Sequence, residues 1–154
     1  MNILLIGDPH FKISNAEETS QLHQETIKYV KNNTLDFVVI MGDVLDTHEK
    51  IHVQPLCRAV NYITELSKCV KTYVLIGNHD RINNSVFLTE DHPFTGLKKK
   101  PNIIIVDKVV ENDGFVFVPY VSPGRFLEAL KTIDFEPKKQ IIFAHQEFRG
   151  AKMG

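Results

Sequence analysis

The feature that most constrains this chain is a set of short runs of unbroken apolarity, rich in Ile, Val, Leu and Phe, at residues 3–6, 37–41, 73–76, 103–106, 115–118 and 141–144. A strand wetted on one face alternates polar and apolar residues. Unbroken apolarity marks strands covered on both faces, as in α/β folds with helices packed above and below the sheet. Helical periodicity fills the gaps between the first three runs. Residues 15–32 carry Leu22, Thr26, Ile27 and Val30 at helical spacing, behind a candidate N-cap at Asn15 with Glu18 three residues on. Residues 53–68 gather Leu56, Val60, Ile63 and Leu66 on one side. This β-α-β-α-β order implies right-handed parallel crossovers. The second half is less regular. Asp113-Gly114 lies between the runs at 103–106 and 115–118 and has the chemistry of a hairpin or tight connection, so a mixed sheet or two sheets are expected. One more short helix is expected over residues 125–133, opened by Ser122-Pro123-Gly124. The fold class is α/β, a mixed β-sheet core flanked by helices.

A length of 154 residues with 43% hydrophobic content suits one domain spanning 1–154. The formal charge of −1 provides no overall basic field, so any nucleic-acid contact has to be local. Cys57 and Cys69 lack a second Cys pair or a Cys/His cluster, which points to two free thiols. Residues 1–6 have no basic stretch before them and no small-residue cleavage site after them, unlike a signal peptide. No apolar run reaches the ~18 residues that cross a bilayer. A soluble, intracellular protein without membrane contact is the expectation.

The chemistry lies in the segments at the strand ends. Gly7-Asp8-Pro9-His10 comes after the first run, Gly42-Asp43-Val44-Leu45-Asp46 after the second, Gly77-Asn78-His79-Asp80 after the third and His145 after the last. In open α/β sheets ligands bind outside the carboxyl ends of the strands, so these groups are expected to converge on one rim. Carboxylates, imidazoles and a carboxamide form a mixed N/O donor set suited to Mn²⁺, Fe or Zn²⁺; the absence of thiolates argues against a structural zinc. Taken singly, Asp8 and Asp43 read as turn or capping residues, and His145 as an ordinary core or surface histidine. His23, His48, His52 and His92 have no partners at metal spacing and read as surface histidines, with His48 and His52 near enough to the rim to touch a substrate.

These segments resemble the calcineurin-like metallophosphoesterase superfamily, whose first three motifs they match in order, with His145 standing where the next histidine ligand falls. The resemblance implies an α/β/β/α sandwich and a metal-dependent phosphoesterase working through two divalent ions, Mn²⁺ foremost, that hold a bridging hydroxide. It implies Asp8 and His10 on the first metal, Asp43 bridging both, Asn78 and His145 on the second, and His79 as the catalytic residue beside the scissile phosphate, either protonating the leaving oxygen or stabilising charge. Asp46, Asp80 and Arg81 are the candidates for substrate binding or for orienting these groups, with a surface ion pair as the alternative for Asp80 and Arg81. The wording of residues 42–47 and of His92-Pro93-Phe94 is most similar to double-strand-break repair nucleases of the bacterial SbcD type and related viral or phage proteins. That narrower likeness implies a DNA phosphodiester substrate, in a host-cell interior if viral, with residues 98–100 or Arg149 and Lys152 on backbone phosphates.

The superfamily pattern continues into a Gly-His-x-His segment that this sequence lacks. The resemblance therefore covers the front part of the family core, with one imidazole missing from each metal and the last strands of the second sheet missing too. A protein partner or second chain completing the fold is expected on this reading, and a catalytically weak or inactive module acting through a partner is its alternative.

Overall fold

The computed structural model describes residues 1–48, 50–134, 136 and 140–150. Four parallel strands, β1 (Ile3–Ile6), β2 (Phe37–Ile40), β3 (Thr72–Leu75) and β4 (Ile103–Val106), lie side by side in that order. Helix α1 (Ala16–Asn32) connects β1 to β2, and helix α2 (Val53–Cys69) connects β2 to β3. A second sheet orders β5 (Val110–Asn112), β6 (Phe115–Val118) and β7 (Ile141–Ala144), antiparallel between β5 and β6 and parallel between β6 and β7. The short helix α3 (Phe126–Leu130) precedes β7.

Period-two alternation distributes the apolar runs between layers. Val38, Ile40 and Val74 turn toward Tyr62, Ile63 and Leu66 of α2, whereas Phe37, Val39, Tyr73 and Leu75 turn toward Phe115, Phe117 and Phe143 of the second sheet. Tyr73 and Phe117 stack across the sandwich at 4.0 Å. On the far side of the second sheet, Val116 and Val118 pack on Ala129 and Leu130 of α3. The layers are thus helix, sheet, sheet, helix. Unbroken apolarity in β2 and β3 reflects burial on both faces, one by helices and the other by a second sheet.

Three sequence readings change. The hairpin through Asp113-Gly114 joins β5 to β6, not the run at 103–106, which belongs to the first sheet. The strand Val110–Asn112 was hidden because it is a short edge strand with exposed Glu111 and half-buried Asn112 after a single apolar residue. Asn15 precedes α1 but makes no side-chain cap; its Oδ1 accepts the Lys12 amide at 3.0 Å and its Nδ2 donates to the His10 carbonyl at 2.8 Å, bracing the loop after β1.

Strand β1 is the exception to two-sided burial. By register, Ile3 and Leu5 share the face of Phe37 and Val39, yet Leu5 is 51% exposed, because no strand of the second sheet lies over this edge among the described residues. Among the described residues no helix is long and apolar enough to cross a membrane. Both cysteines are free and exposed.

Candidate active site

The loops after β1, β2 and β3 are tied to one another at the carboxyl end of the first sheet. The His10 amide donates to the Asp43 carbonyl at 3.0 Å, and the Phe11 amide to that of Val44 at 2.7 Å. His10 and Asp43 both hold φ of +44°, a region that costs a non-glycine residue roughly 1–3 kcal/mol and clusters at functional sites. Gly77 has no room for a side chain: a Cβ there would stand 2.2 Å from the Asp43 amide nitrogen. Gly42, at φ +109°, is crowded by His145, whose Nδ1 a Cβ would meet at 2.4 Å. Gly42 and Gly77 thus permit the close approach of loop to loop, whereas a Cβ at Gly7 would meet nothing within 4 Å.

Asp80 locks this arrangement. Fully enclosed, its carboxylate accepts the amides of Leu45 at 2.8 Å, Gly77 at 3.0 Å and Val44 at 3.2 Å. Burial pushes its pKa up to about 6, against the lowering by those three amides and with a further rise from neighbouring Asp43. The surface ion pair weighed for Asp80 and Arg81 does not form, since they are 1% and 3% exposed.

Asp43, itself 5% exposed, is the hub. Its Oδ1 accepts the His79 amide at 2.9 Å, while its Oδ2 faces imidazole nitrogens from three loops: His145 Nε2 at 3.4 Å, His10 Nε2 at 3.8 Å and His79 Nε2 at 4.0 Å. Burial pulls the Asp43 pKa upward, but the His145 hydrogen bond, the His79 amide and both imidazole charges outweigh it and hold the value below normal. The His145 pKa is correspondingly raised, burial being overcome by Asp43.

The tautomers follow from the partners. His145 Nδ1 lies 2.8 Å from the Met41 carbonyl, which can only accept, so that nitrogen carries the proton. With the ring neutral, the Nε2 lone pair then confronts Asn78 Oδ1 at 3.0 Å and Asp43 Oδ2 at 3.4 Å. A proton on Nε2, which the raised pKa favours, or a cation in its place satisfies these two oxygens. Metal ions commonly displace the proton from such a nitrogen. His79 likewise gives Nδ1–H to the Asp46 carbonyl at 2.6 Å, leaving Nε2 toward Asp43.

Among the described residues, no group of three or more His, Cys, Asp or Glu is drawn together as a ready coordination shell. The donors instead meet Asp43 pairwise. Asp8 stands apart from the rest: its side chain is 54% exposed and approaches His145 Nδ1 at 3.6 Å. Asp46 pairs with Lys12 at 3.1 Å and approaches His10 Nδ1 at 3.4 Å. The N/O donor chemistry and the acceptor cluster around Asp43 fit divalent ions.

Two histidine readings are corrected. The His48 ring lies stacked on His79, centroids 4.5 Å apart, so it is part of the site. The His92 side chain is wholly buried, its Nδ1 accepting the Phe94 amide at 3.2 Å and its Nε2 facing Asp107 at 3.0 Å. The place of His48 two residues after Asp46, in a loop shared with Asp43, was the available signal. For His92 there was none, because Asp107 is distant in sequence. His23 bonds Glu65 at 2.8 Å, and His52 is exposed ahead of α2.

A parallel sheet sandwiched on a mixed one, with acid and imidazole loops gathered at the strand ends, defines a metallophosphoesterase fold. The chain belongs to the calcineurin-like phosphoesterase family, whose sequence profile matches residues 1–148. Members of this family generally use divalent metals. The chain is 48% identical over 162 residues to "Putative phosphoesterase 078R" of Invertebrate iridescent virus 3, covering 100% of this chain and 46% of that protein. It is 45% identical over 158 residues to "Putative phosphoesterase 244L" of Invertebrate iridescent virus 6, covering 99% of this chain and 56% of that protein. The chain spans about half the length of these curated relatives.

Proposed function

We propose that this chain forms the metal-holding part of a phosphoesterase that hydrolyses phosphodiesters, DNA included. The observation that carries the reading is the convergence of three imidazoles, from three separate loops, on one oxygen of buried Asp43. Asp8, His10 and Asp43 would hold one divalent ion, and Asp43, Asn78 and His145 a second, with Mn²⁺ the first candidate and Fe or Zn²⁺ the alternatives. Such ions, when bound, activate water as a nucleophile and neutralise phosphoryl charge.

The residues of the chain supply the rest. His79, whose Nδ1–H is held by the Asp46 carbonyl, would in its protonated form give the Nε2 proton to the departing oxygen. Asp80 fixes the loops that carry Asp43 and Asn78, and Asp46 orients His10 and His79. For a DNA substrate, Lys98 is spent on Asp107 and Glu90, whereas Arg149 is exposed; Lys152 lies outside the described residues. The test is Mn²⁺-dependent cleavage of bis(p-nitrophenyl) phosphate by the full-length protein, together with calorimetric Mn²⁺ titration. Asp43→Ala should abolish both; undiminished turnover in that variant would refute the reading.

A second reading, a module completed by further polypeptide or by a second chain, is supported by Leu5, half-exposed on a face that is otherwise interior. Leu5→Lys should then leave the isolated chain folded but weaken its association with that polypeptide. Unchanged association would count against it.

A further inference from the structure

Beside His79, and leading away from Asp43, runs a cleft of about 550 Å³ walled by Ile51, Ile82 and Pro93. Arg81 lines it. This arginine is the single cationic residue among the buried ones described, at 3% exposure. Its Nη1 donates to the Tyr120 carbonyl at 2.9 Å, and the guanidinium lies 5.8 Å from the centroid of the Tyr120 ring. Nε and Nη2 are buried without a hydrogen-bond partner, and no ion pair to Arg81 forms among the described residues. A buried cation with idle donors is costly unless an anion completes it.

The position of the cleft says which anion. His79 lies in the short turn Asn78–Asp80, Arg81 directly follows it and both line the cleft, so the group that receives the His79 proton departs into this cleft. The volume lies within the range of small-molecule sites, roughly 300–1,000 Å³, and suits one nucleotide. At the far rim Glu90 is neutralised by Lys98 at 3.1 Å, but Asp91 is exposed and opposes a second phosphate.

We infer that Arg81 is the anchor of a leaving-group subsite, taking a departing alcohol of mononucleotide size that itself bears one phosphate. The phosphate pairs with the guanidinium, whose idle Nε and Nη2 edge is sealed from solvent and has to turn into the cleft to serve it bidentately, and the sugar or base lies against Ile51, Ile82 and Pro93. This inference rests on the phosphoesterase reading and narrows its substrate to phosphodiesters with a short, phosphorylated leaving portion.

The test compares the dinucleotides TpT, pTpT and TpTp as substrates of the full-length protein with Mn²⁺. One terminally phosphorylated form should exceed TpT in kcat/KM by about tenfold or more, the scale of a charge-assisted hydrogen bond. Arg81→Gln should bring that ratio near one, and Arg81→Lys should retain part of it. A ratio near one in the wild type, or one untouched by Arg81→Gln, overturns the inference. If the wild type cleaves neither the dinucleotides nor bis(p-nitrophenyl) phosphate, the phosphoesterase reading has failed separately. The subsite is then judged by titrating metal-free protein with thymidine 5′-phosphate, where equal affinity of wild type and Arg81→Gln overturns it and a tenfold loss supports it. Should Arg81→Gln not fold, Asp91→Lys, altered at an exposed rim position, should tighten thymidine 5′-phosphate binding several-fold; unchanged binding overturns the inference.

Discussion

The His48 ring lies face to face on His79, with centroids 4.5 Å apart and planes 25° from parallel. His79 is thereby held from two directions, by stacking on one face and by its Nδ1–H bond to the Asp46 carbonyl at 2.6 Å. On the proposed role of His79 as proton donor, both supports matter to rate, because transfer depends on orientation. His79→Ala should lower kcat by about 10²–10⁴-fold, the usual worth of a general acid, without loss of Mn²⁺ affinity. His48→Ala should lower kcat several-fold, and His48→Phe, which keeps a stacking ring, should restore most of it. Steady-state kinetics beside calorimetric metal titration separates these outcomes; a His48→Phe enzyme as slow as His48→Ala would remove stacking as the cause.

Asp80 holds the loops rather than the chemistry. Removal of its carboxylate leaves the amides of Val44, Leu45 and Gly77 buried without acceptors. Each orphaned donor costs on the order of 1–3 kcal/mol, so Asp80→Ala should destabilise the fold by about 3 kcal/mol or more. Asp80→Asn keeps one acceptor oxygen and should fall between. Urea denaturation monitored by circular dichroism measures the series; near-equal stability of wild type and Asp80→Ala would contradict the clamp.

How much of this was legible in the sequence differs between elements for physical reasons. Strands β2 to β4 and both long helices announced themselves, because burial on two faces or on one helical stripe writes itself into residue type; β1 carries the same apolar run although its Leu5 is 51% exposed. The loops after β1 to β3 were legible for the same kind of reason: a glycine, then an acid or amide, at a strand end. Nothing local could report that the Asn15 side chain braces the His10 carbonyl, or that His92 finds Asp107, since such bonds depend on where the chain returns. Arg81 read equally well as an exposed ion-pair partner, and only its 3% exposure removes that option. The short edge strand β5 escaped notice because wet edge residues carry no apolar run.

The close approach of two loops makes Gly77 indispensable. With its φ of −84°, the backbone itself would accept any residue, so the constraint is space alone. A Cβ would lie 2.2 Å from both the Asp43 amide nitrogen and its Oδ1, and main chain cannot step aside as a flexible side chain does. Gly77→Ala should therefore part the loops, costing about 1–3 kcal/mol in stability and lowering Mn²⁺ affinity. Differential scanning calorimetry and metal titration on the one variant test both, and a Gly77→Ala protein that melts and binds like wild type would show the contact to be loose.

Part of the acid sensitivity of the fold should arise away from Asp43, at Asp107. Three percent exposed, its side chain faces His92 Nε2 at 3.0 Å and the Lys98 ammonium, whose other partner is Glu90. Burial pulls the Asp107 pKa upward, but the His92 and Lys98 hydrogen bonds and their charges outweigh it, leaving the value below 3.8. A carboxyl depressed on folding contributes stability above its unfolded value, and that contribution is lost as pH falls through the folded pKa. The contribution of Asp107 should thus be fully present near neutrality and disappear below about pH 4. Asp107→Asn should be less stable than wild type by about 1–3 kcal/mol at pH 7, the usual loss for a hydrogen bond to a charged group. The two proteins should converge as the pH drops toward 3. Urea midpoints at pH 7, 5, 4 and 3 give the comparison, and a difference that stays constant across the series would place the acid sensitivity elsewhere.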